Sequence, residues 1–100
     1  MYVGLFSKNF SIIESQVNSL INVYTNFLNS ETYEGVCDVM VDYDEVMDKF
    51  VLNIFFDREF IIPLGEGQTR FINKKVRSIA GKFYHFTGKV PMWYNHFKNC

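Results

Sequence analysis

The spacing of apolar positions changes several times along the chain, and each change marks an element. Residues 1–6, MYVGLF, form a short apolar run and predict a first strand. The spacing then becomes three-and-four. Phe10, Ile13, Val17, Leu20, Ile21, Tyr24, Phe27 and Leu28 fall on one helical face. Ser11, with Glu14 three residues on, predicts a capping box at the start of that helix. Its far side, Ser15, Asn18, Asn22 and Asn26, is polar but uncharged. Asn is a mediocre helix former, so tertiary packing must hold this helix. Residues 33–44, YEGVCDVMVDYD, alternate instead. Tyr33, Cys37, Val39, Val41 and Tyr43 point one way, and Glu34, Asp38, Met40, Asp42 and Asp44 the other. After a polar break at 44–48, KFVLNIFF puts Phe50, Leu52, Ile54 and Phe56 on a common face, so the two runs predict a hairpin. Residues 57–63 either extend it or turn back on it, and GEGQT, 65–69, predicts a loop. Helical spacing returns with Ile72, Val76, Ile79, Ala80, Phe83 and Phe86, and Gly88 is placed to end that helix. VPMWYNHF, 90–97, predicts a closing strand.

This order, β-α-β-β-α-β, predicts one α+β domain over residues 1–100. It is the ferredoxin-like split βαβ: a two-layer sandwich with two helices on one face of a mainly antiparallel, four-stranded sheet in the order 4-1-3-2. The apolar strand 49–56 belongs in the centre. Pro91 suits an edge, where its missing N–H costs no ladder bond. The acid-dotted strand suits the other edge, where charge discourages strand addition. The alternative is an α+β sheet in which the first six residues stay unpaired.

Composition adds that a core is affordable without staples, since 48% of the 100 residues are apolar and 18% aromatic. No apolar run nears the roughly 20 residues needed to span a bilayer, and MYVGLFSKNFS lacks the charged start of a secretory signal. The expectation is a cytoplasmic protein with no membrane partner. Cys37 and Cys100 are too few for a disulfide framework and are expected to be free thiols in a reducing compartment.

The net charge of −1 hides a segregation. Residues 31–59 carry nine acids against two bases, while residues 60–100 carry seven bases against Glu66. The acids form a row on the hairpin: Glu34, Asp38, Asp42 and Asp44 on one strand face, Glu45 and Asp48 at the turn. Such a row can oppose a basic protein, protect an edge strand, or, through the pair Asp42-Tyr43-Asp44, hold a hard cation. The EF-hand spacing and its Gly are missing, and no metal or cofactor is expected. On the second helix, Arg70, Lys74 and Arg77 lie on one line that Tyr84 and His85 continue. That line is either a phosphate-tracking surface for nucleic acid or a solvated helix back.

Catalytic signals are few. No CxxC, HExxH or nucleophile-elbow pattern occurs. His85 and His96 are the candidate acid–base pair, with Lys74 or Arg77 to stabilise charge, but nothing in the sequence brings them together. Ser7, Ser11 and Cys37 have no base nearby in any known motif. Met92, Trp93, Tyr94 and Phe97 load the last strand with aromatic and soft side chains of the kind found at interface centres.

MYVGLF slightly resembles the first-strand motif of RNA-recognition modules, which implies base stacking on sheet aromatics. KFVLNIFF departs from that family by lacking the Gly-aromatic-Gly core, and Asp38 and Asp42 would repel phosphate. The acid row in EGVCDVMVDYDEVMD, on a chain of this length without catalytic motifs, resembles another type: the small cytoplasmic immunity proteins that neutralise nuclease toxins in contact-dependent bacterial competition. That resemblance implies a non-enzymatic inhibitor. Asp38, Asp42, Asp44, Glu45 and Asp48, with Glu34 beside them, would oppose the cations of a basic toxin domain. A nucleic-acid-associated module working through the basic helix is the second expectation, and a homodimeric ferredoxin-like domain with a small ligand on its sheet is the third.

Overall fold

The computed structural model describes residues 3–100, with side chains from Glu14 onward. Helix α1, Val3–Asn29, leads to strands β1, Val36–Asp44, and β2, Lys49–Asp57. A short helix α2, Arg58–Ile61, and a 3-10 stretch, Ile62–Gly67, then lead to helix α3, Gln68–Thr87, and strand β3, Met92–Lys98. The strands form one sheet in the order β1-β2-β3, β1 and β2 antiparallel, β2 and β3 parallel. The fold is α+β, but its order is α-β-β-α-β.

The ferredoxin-like expectation is therefore corrected. Residues 3–6 begin α1 instead of forming a strand, and Met1 and Tyr2 lie outside the described residues. Ser11 sits inside that helix, so it is no N-terminal cap. With no strand from residues 3–6 to separate them, β3 pairs directly with the central strand. It runs parallel because the chain crosses over through α2 and α3 before returning, so the sheet is mixed, not mainly antiparallel. The hairpin, the central place of 49–56 and both edge assignments hold.

Phe50, Leu52, Ile54 and Phe56 of β2 are all buried on one face. They meet Val39 and Val41 of β1, Tyr24 and Leu28 of α1, and Val76, Ile79 and Phe83 of α3. Fully burying a side chain of this kind is worth about 1.5–3 kcal/mol. Tyr24 stands edge-on to Phe50 at 5.2 Å and to Phe83 at 5.3 Å, tying helices and sheet together. Phe86 is exposed but stacks on Phe27 at 3.9 Å, joining α3 to α1. Gly88, at φ 72°, ends α3 as its spacing predicts. Asp57 accepts a hydrogen bond from the Glu59 amide and caps α2. No helix among the described residues is long and apolar enough to cross a membrane.

The last turns of α1 close the outer edge of β1. The Asn29 side-chain amide donates to the Val39 carbonyl at 2.6 Å, and the Val39 N–H donates back to Asn29 Oδ1 at 3.2 Å. The Val41 N–H donates to Thr25 Oγ1 at 3.1 Å. Asn29 thus mimics one residue of a neighbouring strand, and the edge is occupied by helix side chains.

Cys37 corrects a second expectation. The β1–β2 register shifts between Val36 and Asp38, so Cys37 is the extra residue of a bulge and is exposed, not core-facing. It is joined to Cys100 in a disulfide across a Cα separation of 6.2 Å, so neither thiol is free. Because β1 and β3 flank β2, the bridge ties one edge of the sheet to the chain leaving the other. It closes a loop over a sequence separation of 63, for which chain entropy gives about 4 kcal/mol as an upper figure. Reduction, or Cys37→Ser with Cys100→Ser, is expected to lower the urea-unfolding free energy by about 2–4 kcal/mol.

Gly35 adopts φ +76°, and a Cβ there would lie 2.8 Å from Phe60 Cδ1 and 2.9 Å from Phe71 Cε1. Two rings seated against a backbone in the left-handed region leave room for glycine alone. Gly35→Ala is expected to cost about 1–3 kcal/mol in the same unfolding measurement.

Candidate functional site

Alternation along β1 sends Asp38, Met40 and Asp42 to the sheet face opposite the core, where Val51, Asn53 and Phe55 of β2 lie beside them. Continuing across the sheet, the register sets Met92, Tyr94 and His96 of β3 beside those three β2 residues. At the hairpin end of this face lies an open depression of about 450 Å³, lined chiefly by Asp42, Asp44, Glu45, Asn53 and Tyr94. The row expected from the sequence is therefore divided. Asp42, Asp44 and Glu45 come together. Asp38 stands further along the strand, and Glu34 lies before its start, away from the turn.

The carboxylates differ in what already engages them. Asp44 Oδ1 accepts from the Val46 and Met47 amides at 2.9 and 3.0 Å and so builds the turn. Asp48, at φ 52°, accepts the Tyr43 hydroxyl. Among the described residues, Asp42 accepts only the amide of its neighbour Tyr43, at 2.8 Å. None of them meets a cation, since the one ion pair among the described residues joins Lys82 to Glu31. No three His, Cys, Asp or Glu side chains converge among the described residues in a group that could hold a metal. The depression presents negative charge beside an exposed phenol ring, a setting that suits a guanidinium or ammonium group.

The apex of the hairpin adds what the acid row did not suggest. Val46 is 92% exposed and Met47 is also exposed. Asn53 was legible as the single polar residue in the apolar run FVLNIFF. Thr25 and Asn29 gave no such signal, because they look like any polar helix positions until β1 lies against them.

The other candidates disperse. Arg70, Lys74 and Arg77 are exposed along α3, with Tyr84 and His85 exposed beyond them. His96 lies on the open sheet face instead. Its Nε2 is 2.8 Å from Asn53 Oδ1 and its ring stacks on Phe55 at 4.7 Å, so it forms no acid–base pair with His85. Residues 3–6 are helical and offer no sheet aromatics, which removes the RNA-module resemblance. Compared with protein-family models, curated proteins and solved structures, the chain matches none.

Asp48 also tunes Tyr43. Its hydrogen bond to the neutral hydroxyl, then partial burial and the nearby carboxylates, raise the phenol above the usual 10.0. A folded-state value above the unfolded one means that this stabilisation is complete below about pH 10 and is lost as pH rises through the folded value. In an NMR titration of the tyrosine rings, Asp48→Ala is expected to move Tyr43 down toward its ordinary value.

Proposed function

We propose that the chain is a non-enzymatic protein-binding inhibitor that takes a basic side chain of its partner into the acidic depression. The observation that carries this reading is an anionic group, Asp42, Asp44 and Glu45, that forms no ion pair among the described residues. Edge protection does not account for it, because Asn29 and Thr25 already occupy the β1 edge. Exposed Val46 and Met47 beside the carboxylates supply the apolar contact that a stable interface needs at its centre. Among inhibitors of this kind, immunity proteins against a basic nuclease toxin fit best. The toxin's own phosphate-binding cations would be the groups neutralised. Such a role lies in the cytoplasm, where the Cys37–Cys100 bond would be open, so capture belongs under reducing as well as oxidising conditions.

Asp44 holds the turn, so the informative variant spares it. Asp42→Lys with Glu45→Lys is expected to keep the melting temperature and to weaken capture of the cognate basic partner at least tenfold, about 1.4 kcal/mol. Capture at wild-type strength would overturn the reading.

A further inference from the structure

The chain carries an apolar groove and, on its own surface, an element whose chemistry fits that groove. The groove runs between α3 and β3, has a volume of about 650 Å³, and is lined by Ala80, Gly81, Tyr84, Val90, Pro91 and Trp93, with Arg77 at its margin. Tyr84, Val90 and Trp93 are exposed there. Gly81 is the unexpected residue. It lies within the 20-residue helix α3, where glycine is the least favourable residue except proline. A Cβ at Gly81 would meet no atom within 4 Å, so packing inside the molecule does not demand the small residue. The missing side chain leaves the groove open at that point to an occupant from outside.

The groove margin is basic. Arg77 continues the exposed line of Arg70 and Lys74, and Lys89 adjoins Val90. The fitting occupant is therefore apolar at its tip and acidic at its flanks. The β1–β2 turn has that character: Val46 and Met47 project, between Asp44 and Glu45 on one side and Asp48 on the other. The two features also lie at one end of the molecule. Val90, which lines the groove, also lines a depression with Tyr43, Asp48 and Lys49 at the hairpin base. A surface that carries both halves of a complementary pair side by side satisfies the reciprocal requirement of a two-fold dimer.

We propose that two copies of this chain pair reciprocally, each inserting its Val46–Met47 turn into the other's α3–β3 groove. The complementary charges guide the approach and make the pairing sensitive to salt. This pairing would compete with a basic partner for the Val46–Met47 turn, and its test needs no such partner.

Sedimentation equilibrium of the full chain at low ionic strength reads it directly. Mass is expected to rise from 11.8 kDa toward twice that value with concentration, and to fall back on adding salt. Val46→Asp, Gly81→Leu and Arg77→Glu are each expected to raise the dissociation constant at least tenfold. Val46 is solvated in the monomer, and leucine outranks glycine in a helix, so neither of the first two variants is expected to lower the melting temperature of the monomer. A mass that stays at 11.8 kDa to millimolar concentration overturns the proposal. So does a dimer whose strength is indifferent to any one of the three substitutions.

Discussion

The amide of Asn29 decides more of this structure than its size suggests. By exchanging two hydrogen bonds with Val39 it fixes α1 along β1 in one register, and Thr25 repeats the contact one helical turn earlier. Each such bond is worth about 0.5–1.5 kcal/mol net, but an unpaired strand edge invites other chains. With α1 in that register, Tyr24 and Leu28 point into the core and meet Phe50 and Phe83. The same placement leaves the opposite sheet face clear for Asp42 and Tyr94.

Closing the edge in this way changes the meaning of the acids. A charged row on an exposed edge strand is usually a guard against strand addition. Here hydrogen bonds already do that task. Asp42 and Glu45, which neither hold the turn nor meet a cation among the described residues, lie toward solvent at the end of the molecule where the hairpin apex projects. The positive charge lies along α3, behind the sheet, and among the described residues only Glu31 and Lys82 meet across the divide. A chain of net charge −1 thus presents two strongly charged surfaces, and such fields steer association and make it dependent on ionic strength.

The disulfide works on the same sheet from its other end. β3 is held to β2 by a parallel ladder, and the chain just beyond it is fastened to the bulge in β1. The bulge matters because regular alternation would have turned Cys37 toward the helices, whereas the extra residue leaves it exposed.

The hairpin, the central strand and α3 were legible in the sequence because each is set by its own pattern. KFVLNIFF alternates around buried positions, the stripe from Ile72 to Phe83 follows the helical period, and Gly88 ends it by conformational freedom. Residues 3–6 were misread for a related reason: a short apolar run satisfies a strand and a helix equally. The three-and-four spacing of α1 in fact continues back through Phe6 to Val3, a signal that a strand reading hides. What tertiary structure alone decided are the contacts between distant segments. These are the parallel pairing of β3, the bridge from Cys37 to Cys100, the sealing of an edge by Asn29, and the grouping of Asp42 and Glu45 with Tyr94. Local pattern specifies which face of an element is apolar. It cannot specify which other element that face will meet, because that choice is made by the free energy of the whole packed arrangement.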